Sequence, residues 1–554
     1  MNDQKWDGAT GDRGSLREQD DRAPQPSQAR HELLDHRLPG GTPGQTISRR
    51  GSAAPMPLSF AQERLWFLSL LEPESPAYNR IACYQITGRL DAAILEQSFH
   101  AIVRRHEILR TCYPARNGNP VPVILPNLSP KLEIRDFSGG PEDAGRAEAV
   151  HAVRAEAHRS FDLGQGPLFR TTLLGLSDSE HWLLVAAHHI VFDSWSEKVM
   201  LDELAHLYSG FSAGRNDPLP ELPIQYGDFA HWQRERLQGA GLEPHLEYWR
   251  RQLRGSPSLL QLRTDHPRPK IRTARGGRQS VVLPVRLSEA LRQRSRGMGV
   301  TLFMLLVSAF KVLLYRITGQ DDIVIGFPVA GRTHGETEPL IGLFVNTLVL
   351  RSRLTGKSSF ADFLTAVRET VLEAFEHQEV PFETLVREMR PERSLSISPL
   401  FQVFFNFRNL PRASVLAEGV RIEKLGLDTG ISQFELTLEV AETAGGLSCT
   451  AVYNADLFDS GTIVRLLGCY ETLLQGLAHN PERAISMIPL IPEAEHRRLL
   501  VDWNDTHADY PDDACIHQLF EKEARDHPDA VAASYAGKEC TYQELNRRAN
   551  RLAH

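Results

Sequence analysis

Apolar positions along the chain alternate between two spacings. From Asp91 they recur at helical intervals, through Leu95, Phe99, Ile102 and Val103, behind an aspartate placed to cap the first free amides. His106 continues that face, where a core histidine with a satisfied ring is expected. His181 to Ala187 (His-Trp-Leu-Leu-Val-Ala-Ala) is a short, mostly apolar run of the kind a buried strand requires, although periodicity alone does not separate it from a helix. Ser194-Trp195-Ser196-Glu197 follows and reads as a capping box opening a helix through Leu204 and Tyr208 to Gly210.

Farther on, Thr301 to Arg316 places Leu302, Leu305, Leu306, Ala309, Val312 and Leu313 on one face, with Gly319 as a stop. Asp322 to Gly326 then reads as a strand. No short-period repeat is present, and strands alternate with helices over most of the length. That pattern predicts a large α/β protein of two lobes.

The two ends differ from this. Residues 1 to about 50 are rich in Gly, Pro, Ser, Arg and Asp, a composition that buries too little surface to repay ordering. They are expected to form a mobile leader, a plain linker in which Leu33, Leu34 and Leu38 are the candidate for a short docking element. From Pro489 the chain passes through charged residues 493 to 498 and Trp503-Asn504-Asp505-Thr506, which read as a linker into a further, incomplete unit. The expected divisions are a leader over 1–56, lobes over 57–235 and 236–489, a linker over 490–514 and a last unit over 515–554.

Composition narrows the function. The chain has 554 residues, a formal net charge of -8 and 24% charged residues. This balance argues against a phosphate-backbone binder, which carries a basic stripe. Six dispersed cysteines without a Cys-x-x-Cys pair point to reduced thiols in a cytoplasmic protein. The N-terminal residues lack the apolar core of a signal peptide. Leu302 to Tyr315, the most apolar segment, is broken by Lys311 and falls short of the roughly 20 residues a spanning helix needs. Neither nucleic acid nor membrane is expected as a partner, and a monomer is expected.

The chemistry concentrates at His188-His189-Ile190-Val191-Phe192-Asp193, at the junction of the predicted strand and helix. A histidine at a strand end with a carboxylate nearby is a common proton carrier in acyl transfer. A metal site is disfavoured because adjacent side chains on an extended backbone point to opposite faces. The same geometry divides the pair, giving His188 the packed side and His189 the cleft. Asp193 is expected to hold the loop through backbone amides or an arginine.

These residues resemble the His-His-x-x-x-Asp-Gly signature of the condensation domains of nonribosomal peptide synthetases. The resemblance extends over Pro57 to about Pro489. Ser59-Phe60-Ala61-Gln62-Glu63-Arg64-Leu65-Trp66, Arg105 to Thr111, Tyr226 to Gln233, Ile341 to Thr347, His377 to Glu383 and Ser398 to Val403 match the family's further motifs in order. The sequence departs from the pattern at Ser194, where the family has glycine. A capping role would stabilise the helix by about 1 kcal/mol, and the hydroxyl would alter substrate handling near the site.

The resemblance implies two chloramphenicol-acetyltransferase-like lobes in a V-shaped pseudo-dimer, with a tunnel between them reached by phosphopantetheine arms from both sides. It implies amide formation by attack of an acceptor amine on a donor thioester. His189 is the implied centre, with His188 and Asp193 in the catalytic signature. Ser194, Trp195 and Asn346 are channel candidates, and Arg110 or Arg268 is the candidate ion-pair partner of Asp193. No metal or bound cofactor is implied; the acceptor comes on a downstream carrier protein. An epimerization domain shares the signature but is expected before another condensation domain, and a heterocyclization domain would replace the first histidine by aspartate. A non-catalytic docking module is the rival from another class.

Residues 516–521, 529–532 and 541–545 resemble the opening of an adenylation domain, whose remainder would be a partner. His554 precedes any phosphate-binding loop with its lysine, so no adenylation is expected of this stretch. The leader holds no Gly-Gly-x-Ser for a carrier arm, so the donor is expected from outside the chain. It would be a fatty acyl-coenzyme A if the domain is a starter, the reading favoured by the short leader, or an upstream carrier if the domain elongates.

Overall fold

In the computed structural model, described for residues 46–51, 56–215, 219–237, 239–390, 394, 396–408, 413–443, 445–509 and 513–554, the helical spacing behind Asp91 forms the helix Ala92–Arg105. The Asp91 side chain accepts from Ala93 N and Ile94 N. Leu302–Thr318 is likewise helical, capped by Thr301 and ended by Gly319 in the left-handed conformation (φ 73°) that suits a residue without Cβ. The apolar run at 181–187 lies in the strand Glu180–His188, and the strand predicted at Asp322 continues to Val329.

Two compact units are present, up to Leu490 and from Ile491. The first contains two six-stranded sheets. One runs, in spatial order, Ala413–Ala417, Val420–Leu425, Asn79–Thr87, Glu180–His188, Phe169–Ser177 and Leu132–Asp136. The other runs Asn346–Arg353, Asp322–Val329, Val403–Arg408, Leu436–Thr443, Gly446–Asn454 and Gly276–Val282. Each sheet anchors its own apolar core. The expected two-lobed α/β architecture is therefore present.

The lobes are not separate runs of sequence. The hairpin formed by Ala413–Ala417 and Val420–Leu425 belongs to the second half of the chain but pairs antiparallel with Asn79–Thr87 of the first sheet. Leu340, Ile341, Leu343 and Phe344 also pack into the first core. A division at residue 235 misses this exchange, because hairpin addition leaves no mark in local periodicity.

The predicted leader lies mostly outside the described residues, including Leu33, Leu34 and Leu38. Its described end, 46–51, is docked. Ile47 is buried and Arg49 donates to the carbonyls of Leu222 (2.7 Å) and Pro223 (2.9 Å). No helix among the described residues is by itself long and apolar enough to cross a membrane. In the helix Leu302–Thr318, Lys311 is buried and its Nζ donates to Leu350 O (2.7 Å) and Ser352 Oγ (2.8 Å). The second unit holds the helices Glu493–Leu500, Ile516–Asp526 and Tyr542–Ala553 and a hairpin of Val531–Tyr535 with Lys538–Thr541.

Candidate active site

The strand Glu180–His188 ends where its antiparallel partner begins, with His188 opposite Asn79. The chain then turns, and Val191 N donates to His188 O (3.0 Å) while His189 N is tied to Tyr78 O (2.9 Å). His188 faces inward, against the rings of Phe161 and Tyr78, and its Nδ1 accepts from Ile190 N at 3.2 Å. Burial, and then the neighbouring His189, push its pKa down to about 3.

His189 faces the other way and lines a large cavity. Its Nδ1 lies 2.9 Å from Phe192 O. A carbonyl oxygen can only accept, so Nδ1 carries the proton in the neutral ring and Nε2 is left as the acceptor. Among the described residues no protein group occupies Nε2. Burial first, and the Arg80 guanidinium second, hold the imidazole well below its ordinary pKa, so it is neutral near pH 7.

Asp193 is built as a clasp. Oδ1 accepts from Ser196 N (2.8 Å) and Oγ (2.7 Å), and Oδ2 accepts from Phe344 N (3.0 Å) and Val345 N (3.2 Å), in the later segment that packs into the first core. Arg332 Nη2 approaches Oδ1 at 3.4 Å. Burial raises the carboxyl pKa, but Arg332 and these amides outweigh it and keep Asp193 ionised. The partner is thus neither Arg110 nor Arg268. Arg110 lies 3.8 Å from Glu107, three residues before it, and Arg268 pairs with buried Glu435 in the second lobe. Motif position carries no distance information, and Arg332 follows the strand Asp322–Val329, in a turn that stands out in the sequence only by its Pro and Gly.

A second correction concerns Ser194. The helix Ser194–Ser212 is capped by Asp193, not by a Ser194 box. The aspartate oxygen already satisfies Ser196 N, so Ser194 begins the helix and its hydroxyl accepts from Arg80 Nη2 at 2.9 Å. Glu197 serves no cap either. It accepts from Tyr84 OH (2.6 Å), pairs with Lys424 and lies 3.9 Å from Arg408. Burial opposes its ionisation, but Lys424 and Arg408 prevail and hold its pKa at about 2.

Trp195 and Asn346 both line the cavity. Trp195 Nε1 donates to Glu338 O (3.0 Å). The Asn346 amide is fully engaged: Nδ2 donates to Gln378 O (2.8 Å) and Val380 O (2.7 Å), and Oδ1 accepts from Phe382 N (3.0 Å). Asn346 therefore fixes the cavity wall, with no polar atom left for a ligand.

Several of the matched motifs bind one another, and the first reaches the histidine turn. Gln62 Nε2 donates to Ile190 O (3.1 Å) and His106 binds Glu203 (2.9 Å) while accepting from Ile341 N (3.3 Å). Tyr226 OH bridges Ser59 Oγ (2.9 Å) and Leu343 O (2.7 Å). The cavity, about 1820 Å³, takes walls from both lobes, including Tyr78, Phe401, Phe404 and Phe434. Ligand cavities for single small molecules are typically about 300–1,000 Å³, so the space suits two reactants meeting at His189. Among the described residues no cluster of side chains could hold a metal ion.

Residues 53–500 match the family model for the condensation domain. The chain belongs to the condensation-domain family. In nonribosomal peptide synthetases such a domain is an amide-forming acyltransferase. The chain is 44% identical over 501 residues to one of the linear gramicidin synthase proteins of Brevibacillus parabrevis, covering 90% of this chain and 10% of that protein. It thus spans about a tenth of the length of that curated relative. Among solved structures, the X-domain from teicoplanin biosynthesis aligns at 27% identity with a TM-score of 0.71, over 80% of this chain and 99% of that one. A four-domain nonribosomal peptide synthetase bound to AMP and glycine aligns at 21% identity with a TM-score of 0.78, over 90% of this chain and 38% of that one, and shows the shared fold.

Proposed function

We propose that this condensation domain joins a carrier-borne acyl or peptidyl thioester to the amine of an aminoacyl group on a downstream carrier, with His189 at the reacting centre. The observation that carries this is the open Nε2 of His189 on a cavity walled by both lobes. In the reaction the amine nitrogen attacks the thioester carbonyl and the C–S bond breaks. The amide forms, and the proton lost by the amine leaves with the pantetheine thiol.

His189 Nε2 is placed to accept that proton and return it to the departing sulfur. The depressed pKa makes it a weak base, and an α-amino group with a reference pKa of about 7.7–8.0 is partly neutral without help. Orientation then supplies the larger part: aligned reactants reach effective molarities of about 10⁵ M or more, against roughly 10²- to 10⁴-fold from acid–base catalysis. His188 and Asp193 serve by fixing the turn.

A carrier-borne donor, as in an elongating domain, is supported over a fatty acyl-coenzyme A by the 42–44% likeness to subunits of a synthase divided among several chains. Residues 515–554 are proposed as the opening of an adenylation domain, on the motifs at 516–521, 529–532 and 541–545. The test is product analysis by mass spectrometry. The chain is mixed with an acceptor-loaded carrier and either a peptidyl-loaded carrier or acyl-coenzyme A. Amide from the peptidyl donor is expected. Product only from acyl-coenzyme A would reverse the donor assignment, and product from neither would refute the proposed reaction.

A further inference from the structure

Beside His189 the cavity wall holds a charged group that the amide-forming chemistry does not use. Arg80, Arg408 and Lys424 face Glu197 and Glu439. Glu197 is shared by Lys424 and Arg408, and Glu439 lies 3.8 Å from Arg408. Asp193 is already matched by Arg332. Three cations therefore meet two carboxylates, and Arg80 is the one of the three without an ion pair of its own, drawn to Glu197, Glu439 and Asp193 only through longer-range attraction. Among the described residues no carboxylate reaches it within ion-pairing distance, and its hydrogen bond goes to Ser194 Oγ at 2.9 Å.

Arg80 belongs to the strand Asn79–Thr87, opposite Ala187 and so next to the histidine turn. It is only half-buried, and its open side gives onto the cavity. A guanidinium has five donors in a planar fork suited to a carboxylate. Ser194 takes one N–H, which orients the plane and leaves the rest for a ligand. Glycine, the family's residue at position 194, would offer no such oxygen.

We propose that Arg80, steered by Ser194, is a specificity-determining residue that receives a carboxylate carried on one of the two groups being joined. This inference rests on the amide-forming reading above. An anion at Arg80 completes the charge balance of the wall and anchors the substrate next to His189 Nε2. A neutral isostere leaves the guanidinium short of partners and binds less well.

The test is calorimetric titration of the full chain with non-reactive pantetheine amides in two matched pairs. The donor-side pair is glutaryl and its terminal carboxamide; the acceptor-side pair is glutamyl and glutaminyl. In one pair the carboxylate form should bind about 10-fold or more tightly, the effect of one charge-assisted hydrogen bond, and that pair identifies the side. The ratio should fall close to one in Arg80→Gln, remain partly in Arg80→Lys, and shrink in Ser194→Gly. Equal affinities within both pairs for the wild type would overturn the inference with no variant needed. A ratio unmoved by Arg80→Gln would overturn it too. Carboxylate-selective binding without turnover of carrier-loaded substrates would refute amide formation and still support Arg80.

Discussion

Asp193 and Arg332 meet at 3.4 Å with side chains 2% and 1% exposed, one at the end of the histidine turn and the other in the segment after the strand Asp322–Val329. The guanidinium also lies 4.0 Å from the Phe344 ring and donates to Leu340 O (2.8 Å). Removing one member of such a pair strands the other charge in a dry site, at a cost of about 3–5 kcal/mol. Arg332→Met should therefore lower the unfolding free energy by about that amount in urea titrations. The double variant Arg332→Met with Asp193→Asn should recover part of it, because no ion is left unpaired. Additive losses would show that the two residues act separately.

How much of this is legible in the sequence follows from the range of each interaction. Asp91, Thr301 and Gly319 act within one helical turn, so local spacing reveals them. The opposed faces of His188 and His189 are expected from strand alternation, but the strand ends at His188 and it is the following turn that sends His189 to the cavity. The Asp193–Arg332 pair spans 139 residues, and the charge network of Arg80, Glu197, Arg408 and Lys424 draws on both lobes; nothing local marks either. The hairpin at 413–425 escapes for the same reason, since its partner strand lies more than 300 positions earlier. Ser194 and Glu197 match a capping pattern, but Asp193, one residue earlier, caps Ser196 N with its side chain, and its carbonyl takes Glu197 N at 3.2 Å, the amide a Ser194 cap would need.

His188 makes the acid limb of stability testable. Its folded pKa of about 3 lies below the ordinary histidine value of 6.5. Between those values the unfolded chain binds a proton that the native chain does not, so stability falls as pH falls from about 6.5 towards 3. The slope from this one group reaches about 1.4 kcal/mol per pH unit. His188→Gln, which keeps an acceptor for Ile190 N, should flatten the curve in that window and leave the slope above pH 7 unchanged. Chemical denaturation at about pH 4.5 and 6, inside the window, and about pH 7.5, above it, gives the comparison; parallel curves for the two proteins would contradict it.

Gly342 is a packing requirement of the lobe junction. A Cβ there would fall 2.1 Å from Tyr226 Cδ2. That ring is fixed by hydroxyl contacts to Ser59 and Leu343 and by edge packing on Phe344, 5.0 Å between centroids. Gly342→Ala must shift the ring or the segment that Asp193 clasps. A loss of about 1–3 kcal/mol is expected, as for other overpacked sites. Gly342→Ala combined with Tyr226→Leu should recover part of the loss, measured by thermal unfolding of the four proteins in the cycle.

Neighbouring histidines should give opposite phenotypes. The His189 side chain makes one hydrogen bond, to Phe192 O within its own turn, and fronts the cavity, so truncation removes little packing. His189→Ala should keep its unfolding free energy within about 1 kcal/mol of wild type, in line with the loss of one local hydrogen bond. Amide formation from carrier-loaded substrates should fall by roughly 10²-fold or more. His188→Ala instead opens a void against Phe161 and Tyr78 and removes the acceptor for Ile190 N. It should lose about 2 kcal/mol or more of stability, with a rate loss in the protein that remains folded traceable to displacement of His189. Single-turnover rates and urea melts on both variants separate the roles. A stable His188→Ala with normal turnover, or a His189→Ala that unfolds, would reverse the division that strand geometry makes between them.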